Sequence, residues 1–355
     1  LRVALAVCGT DKYFGLPKYF YLLAKYLKSN GVKVDLIIDS SFGLSKAYEI
    51  CNVPIVISYP RVRNAITTMQ FSYHVSKYLL ESPVHDIFHT CHVNPFFYLT
   101  HKKRTPVVFQ PFGSELFTLA GKGLNKTYCK LAQPVLRYCG HNADVLLAEG
   151  QFQWQDMVRY YDNEARMKVL PVGIETNVKV KEDYLNKEFK ILAVNSLLPY
   201  EGMDLLVDAF KIVSSKIDAE LTIVGSGNLE NKLKEYAKDL PVTFKKNIPE
   251  LELQELYANS DLFVSTSGET DTQMGILEAE AAGLPIVSMG QKWLISSNGL
   301  LCNRNAADLA DAIMEVYYGN RAGMGHFSKR IASDYDFNEI ARQAIRIYET
   351  TLSRI

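Results

Sequence analysis

The sequence predicts two doubly wound, Rossmann-like α/β units in one chain, and three observations predict it. At 355 residues the chain exceeds what one ordinary hydrophobic core organises, so two domains are expected. Short apolar runs alternate with longer segments of helical period, the pattern of parallel strands joined by crossover helices. After a polar stretch at 179–188 that alternation starts again from the beginning. Two such units imply a cleft between them, lined by the carboxyl ends of both sheets.

The elements follow in order. RVALAVC (2–8) is a buried strand running into a loop at 9–16. Pro17 suits the first turn of a helix reaching about Ser29, with Phe20, Leu23, Ala24 and Leu27 on one face. Asn30-Gly31 stops that helix, and VKVDLIID (32–39) resumes the sheet. VPIVIS (53–58), HDIFHT (85–90), TPVVFQ (105–110), ADVLLAE (143–149) and KVLPVGI (168–174) supply the remaining strands of a first domain over 1–178. In the second, over 179–336, strands are expected at FKILAVNS (189–196), ELTIVG (220–225), PVTFKK (241–246), SDLFVST (260–266) and LPIVSM (284–289). Helices are expected near 204–215, 229–239, 251–258 and 275–282, and a last helix over 337–355 is expected to cross back onto the first domain.

Composition narrows the class. Hydrophobic residues at 48% and charged residues at 22% are those of a soluble globular protein, and no apolar run approaches the roughly 18–20 residues that span a bilayer. The opening run at 1–8 is too short for the core of a signal peptide. Six cysteines (Cys8, Cys51, Cys91, Cys129, Cys139, Cys302) are scattered without CxxC pairing, which reads as reduced thiols and an intracellular, cytoplasmic setting. His85, His89, Cys91 and His92 lie on a strand and its following loop, where neighbours alternate between faces, so core histidines are expected rather than metal ligands.

The zero net charge conceals an asymmetry. Residues 1–178 hold 20 Lys and Arg against 13 Asp and Glu, a balance of about +7, and the rest hold 19 against 26, about −7. A basic first half suits a phosphate-bearing acceptor or an anionic membrane surface, and equally the attraction of two lobes for each other.

The strongest chemical signal is SGETDTQMGILEAEAAGLPIVSMG (267–290). A loop feeding a helix N-terminus presents unpaired N–H groups and the positive end of the helix dipole to phosphate or sugar oxygens. Glu278, one turn inside, suits a pair of hydrogen bonds from a ribose diol. Gly283 and Pro285 then end the helix and open the next strand. This run resembles the nucleotide-sugar signature of the family 4 retaining glycosyltransferases, which have the GT-B fold of two Rossmann-like domains facing across a cleft. Three further stretches are similar in order and spacing. IVGSGNLENKLKEYA (223–237) resembles the family's Gly-x-Gly turn near the base pocket. LPVGIETN (170–177) resembles its hinge, with Glu175 where an aspartate is usual, and QPFGSEL (110–116) its first-domain loop facing the donor sugar.

The resemblance implies transfer of a hexose-type sugar from a nucleotide donor to a hydroxyl acceptor, with retention and without a metal or other cofactor. It assigns the ribose to Glu278 and the donor sugar or phosphate to the amides of Gln273, Met274, Gly275 and Ile276. Gly225 and Gly227 would shape the base pocket, and Gly15 and Gly113 would close the site from the first domain. The family's acidic pair has seven residues between its members. Here eight separate Glu269 from Glu278 and six separate Asp271 from it, so either Glu269, the preferred choice, or Asp271 meets the sugar hydroxyls. Phe112 stands where a histidine is often found.

The largest departure concerns the diphosphate. The family's GRxxxxKG stretch is NSLLPYEG (195–202) here, which puts Ser196 in the arginine position and Glu201 in the lysine position. A carboxylate about 5 Å from a phosphate costs roughly 3 kcal/mol at an effective dielectric near 20. That departure admits an active transferase with a relocated cation (Lys245, Lys246, Lys12 or Lys18), a donor of lower phosphate charge, or a non-catalytic subunit that supports a partner transferase or binds glycan. The expected partners are a nucleotide sugar and a glycan, lipid-linked or small-molecule acceptor, with no nucleic acid and with peripheral membrane contact through the basic half.

Overall fold

The computed structural model describes residues 1–8, 16–39, 55–59, 65–82, 84–101, 105–112, 126–184, 188–199, 201–268, 274–290, 292 and 294–354, with backbone alone for 55–59, 65 and 126–131. These divide into two compact units, Leu1–Gly173 with Phe337–Ile355, and Ile174–Asp336.

The first unit carries a parallel sheet of seven strands: β1 Arg2–Val7, β2 Lys33–Asp39, β3 Ile55–Tyr59, β4 Ile87–Thr90, β5 Val107–Phe109, β6 Val145–Ala148 and β7 Met167–Val169. Their order is β3-β2-β1-β4-β5-β6-β7. The central strands are apolar on both faces because helices cover both, and Val3–Val7 and Val107–Phe109 are wholly buried. Strand β7 stops at Val169, short of the expected end at 174, because Pro171 has no N–H to give a ladder.

The Phe337–Leu352 helix packs in this first unit. Phe337 stacks on Tyr26 with ring centroids 5.5 Å apart. Tyr348 donates its hydroxyl to His89 Nδ1 at 2.6 Å, and His89 Nε2 donates to Gln110 Oε1 at 3.1 Å. Tyr19 gives a second hydrogen bond to the same Gln110 oxygen, at 3.1 Å. Burial holds the His89 imidazole down at about 3, so it is neutral, with its proton on the nitrogen facing Gln110. His85 is spent on Asp35, 2.6 Å away. These histidines are core hydrogen-bonding groups, and among the described residues no cluster of three or more His, Cys, Asp or Glu is arranged to hold a metal ion.

The second unit carries six parallel strands: β8 Phe189–Val194, β9 Ala219–Val224, β10 Val242–Lys245, β11 Leu262–Ser265, β12 Ile286–Ser288 and β13 Gly299–Leu301, ordered β10-β9-β8-β11-β12-β13. Strand β13 was not expected from the sequence. It is three residues of an edge strand and only partly buried, so it lacks an apolar run. Two helices after it, Ala306–Tyr318 and Arg321–Ser333, complete the unit. Lys181 and Asp261 form a buried ion pair at 2.9 Å, and Asp261 also accepts the Lys190 amide at 2.9 Å, which pins the start of β8. The doubly wound α/β fold is as the sequence predicts. Among the described residues no helix is long and apolar enough to cross a membrane.

Candidate functional site

In a doubly wound sheet the ligand site lies beyond the carboxyl ends of the strands where the winding reverses. In the second unit that place falls between β8 and β11, because β9 and β10 extend to one side and β12 and β13 to the other. Three loops end there: 195–202 after β8, 225–229 after β9 and 266–268 after β11.

The Met274–Ala281 helix starts at the same point. A Cβ placed on Gly275 would stand 3.3 Å from both the Val194 carbonyl oxygen and the Phe263 ring, so the helix N-terminus abuts the end of β8. The amides of Met274, Gly275 and Ile276 belong to its first turn and have no acceptor within the helix. Ile276 is wholly buried, so only its backbone is available to a ligand. Glu278 is half-buried, and its Oε2 accepts a 3.0 Å hydrogen bond from the buried Tyr257 hydroxyl. Burial and the Glu278 charge hold that phenol well above its ordinary range, so it stays a donor. Tyr257 thus holds one carboxylate oxygen in place, an orienting role that sequence pattern did not reveal. The one sign of it in the sequence was a lone aromatic on the expected 251–258 helix.

Glu280, two residues on, faces the other way. It is fully buried, accepts from Asn298 Nδ2 at 2.9 Å, and burial raises its carboxyl to about 9. At neutral pH it is an uncharged member of the core. Glu269, Asp271, Gln273, Gly15 and Gly113 lie outside the described residues, as does Lys12.

Gly225 and Gly227 have a structural reason to be glycine. A Cβ on Gly225 would overlap the Asn195 carbonyl oxygen, and one on Gly227 the Leu197 carbonyl oxygen. The turn lies against the loop after β8, fastened by Leu197 N–H to the Ser226 carbonyl at 3.0 Å and Leu229 N–H to the Leu197 carbonyl at 3.1 Å. The two loops therefore hold one shape together.

Among the described residues of the site, the loop after β8 is the most polar part. The Glu201 carboxylate accepts from Asn195 Nδ2 at 2.9 Å, Ser196 Oγ at 3.2 Å and Ser267 Oγ at 2.7 Å. Asn195 in turn accepts the Ser196 amide at 2.8 Å. The loops after β8 and β11 are tied again where Thr266 Oγ1 donates to the Glu201 carbonyl at 2.5 Å. Arg304, just ahead of the Ala306–Tyr318 helix, reaches the same knot: its Nη1 donates to the Thr266 carbonyl at 2.5 Å. The sequence reading passed over Arg304 because 103 positions separate it from Glu201. Of the lysines considered as relocated cations, Lys245 pairs with Glu252 at 2.7 Å and Lys246 with Glu230 at 2.9 Å. Lys18 lies in the first unit, 5% exposed.

Comparison with known proteins follows the same division. Residues 15–178 match the family model described as Glycosyltransferase Family 4, and residues 188–318 the model described as Glycosyl transferases group 1. An uncharacterized glycosyltransferase of Haemophilus influenzae is 31% identical over 165 residues, 43% of this chain and 47% of that one. A GDP-mannose-dependent alpha-(1-6)-phosphatidylinositol monomannoside mannosyltransferase of Mycobacterium tuberculosis is 28% identical over 214 residues, 52% of this chain and 56% of that one. The chain thus spans about half the length of the curated relatives it matches. Among solved structures, the sucrose-phosphate synthase of Thermosynechococcus elongatus superposes with a TM-score of 0.84 at 16% identity over the whole of both chains. The Anabaena HepE protein, in complex with UDP and glucose, gives 0.79 at 17% identity, again over the whole of both chains. At these identities the likeness establishes the fold, GT-B, alone.

Proposed function

Because the chain belongs to the family 4, group 1 glycosyltransferases, we propose that it moves a sugar from a nucleotide-activated donor to a hydroxyl acceptor, with retention and without a bound metal. In that reaction the bond from the anomeric carbon to the phosphate oxygen breaks and the acceptor oxygen takes its place on the same face. The acceptor's proton leaves with the nucleoside diphosphate. The observation that carries the reading is Glu278. It stands one turn inside a helix whose N-terminus abuts the reversal point of the sheet, with one carboxylate oxygen held by Tyr257. A carboxylate so placed accepts the two hydroxyls of a ribose, while the amides of Met274, Gly275 and Ile276 face sugar or phosphate oxygens. Glu269 or Asp271 is assigned the donor sugar and Gln273 and Gly113 its backbone contacts, on the family resemblance.

The test uses the whole chain with UDP-glucose, UDP-N-acetylglucosamine and GDP-mannose, following release of nucleoside diphosphate. Turnover of one of them is expected, unchanged by EDTA, with the α-configured donor giving an α-linked product by NMR. Glu278→Gln is expected to weaken binding of that nucleotide by roughly 1.5–3 kcal/mol in calorimetry. Unchanged affinity removes Glu278 from the site.

One observation favours a second reading, a non-catalytic subunit: the diphosphate clamp positions hold Ser196 and Glu201. A chain that binds none of the three donors and none of their nucleotides supports that reading over transfer.

We further propose that the first unit contacts an anionic membrane surface. A groove of about 560 Å³ beside strand β7 and the Phe337–Leu352 helix is lined by Arg166, Lys168, Arg346 and Arg354 against one acid, Asp144. Sedimentation with vesicles containing phosphatidylglycerol is expected to carry the protein down at low salt and release it at high salt. Equal sedimentation with neutral phosphatidylcholine vesicles counts against an electrostatic contact.

A further inference from the structure

We propose that Arg304 is the cation that meets the donor's diphosphate in this chain, an assignment that rests on the nucleotide-sugar reading above. The positions aligned with the family's Arg and Lys hold a hydroxyl and a carboxylate. Glu201 is turned onto three donors of its own and the neighbouring loop. The two lysines at the end of β10 are engaged by Glu252 and Glu230 and lie two strands from β8.

Arg304 arrives from the far side of the sheet, at the end of β13, and its guanidinium packs onto the turn that carries Glu201. One nitrogen, Nη1, holds the Thr266 carbonyl at 2.5 Å. The other, Nη2, stands 2.9 Å from where a Cβ on Gly202 would be. Gly202 has φ 73°, the left-handed region, and opens the Met203–Ser214 helix. Its missing side chain is therefore both a backbone requirement and the space the guanidinium occupies. Arg304 as a residue is exposed, and its guanidinium lies at the reversal point. A guanidinium carries five N–H donors in a planar fork, so it can hold a backbone carbonyl and phosphate oxygens together. The family's cations are replaced here by one arginine entering through a glycine, from a loop 103 positions downstream.

The test compares UDP, UMP and uridine, with the guanosine series in parallel, on the full chain and on Arg304→Gln. The glutamine keeps an amide donor, two bonds shorter than the guanidinium, and carries no charge. Arg304→Gln is expected to weaken the diphosphate of the preferred base about tenfold or more, the monophosphate about threefold or less, and the nucleoside not at all. Arg304→Lys, which keeps the charge and loses the fork, is expected to fall between the two. Diphosphate affinity unchanged in Arg304→Gln, or an equal loss for all three ligands of one base, overturns the assignment, since a purely structural tie to Thr266 ignores phosphate count. If Arg304→Gln does not fold by circular dichroism, Arg304→Lys decides: a severalfold loss for the diphosphate alone supports the assignment and no loss overturns it. An unaltered chain that binds neither base series overturns the donor reading and this assignment together, whereas binding indifferent to Arg304 overturns this assignment only.

Discussion

The two units reverse their winding at equivalent places, and the chemistry collected there differs. At the reversal in the first unit, between β1 and β4, the described side chains on the two strand ends are hydroxyl, amide and thiol groups, with the Asp39 carboxyl group at the end of the next strand. Thr90 Oγ1 and Asn94 Nδ2 both serve the Ala6 carbonyl, at 2.8 and 3.4 Å, and burial raises the Cys8 thiol to about 12 and raises that of Cys91 as well. At the reversal in the second unit, between β8 and β11, a carboxylate with three donors, a guanidinium and a helix N-terminus converge on the loop ends. Among the described residues, the same topology therefore gathers hydroxyl, amide and thiol groups at one reversal and a carboxylate and a guanidinium at the other. Fold alone does not say which end reads a charged ligand; the side chains at the reversal do.

That contrast breaks most readily at Gly225. An alanine there overlaps the Asn195 carbonyl, which belongs to backbone and cannot swing aside. Gly225→Ala is expected to cost about 3 kcal/mol of stability and to abolish nucleotide binding, because the loops after β8 and β9 must separate. Denaturant unfolding and calorimetry check it, and wild-type affinity in a destabilised variant means that this loop pair is scaffold alone.

A somewhat smaller effect is expected at Glu280, which separates charge that reads a ligand from charge that is merely suppressed. Burial raises its carboxyl from an ordinary 4.5 to about 9. Below about pH 4.5 the folded and unfolded chains both hold the proton, and nothing is lost. Between about 4.5 and 9 the unfolded chain releases it and the folded chain does not, so stability falls as pH rises. Glu280→Gln removes that slope. It is expected to stabilise by on the order of 2–3 kcal/mol at pH 7, with the advantage vanishing at pH 4. Parallel melting curves for the two proteins from pH 4 to 8 show instead that Glu280 is ionised in the fold.

The smallest effect sharpens the first unit's side of the comparison. Tyr348→Phe leaves His89 Nδ1 without its donor inside the core. A loss of about 1–2 kcal/mol in chemical denaturation is expected, with nucleotide affinity unaltered. A change in affinity of more than twofold makes this network part of ligand binding rather than of packing.

Legibility in the sequence followed the range of the interactions. Strand β8 and the signature helix could be read because their information is local: an apolar run in one case, a loop, a glutamate and Gly-Leu-Pro in the other. Strand β13 could not, since three half-exposed residues at a sheet edge carry no periodic signal. Glu278 was picked out by its motif, yet Tyr257, which holds it, and Glu280, which the same helix turns into the core, had no such mark. A helix places residues two apart on different faces, but which face is buried depends on what packs there.

By itself, then, the sequence determined the two doubly wound units and the helix that carries Glu278, because hydrophobic period and turn residues act over a few positions. The family resemblance also aligned Ser196 and Glu201 with the clamp positions. Only the tertiary structure decided what stands beside them. Glu201 and Arg304 are 103 positions apart. They share a turn because β8, β11 and β13 lie in one sheet with their carboxyl ends aligned, and because Gly202 leaves the space that a guanidinium fills. Such a contact is set by chain crossing and by a missing side chain, and neither leaves a periodic trace in the order of residues.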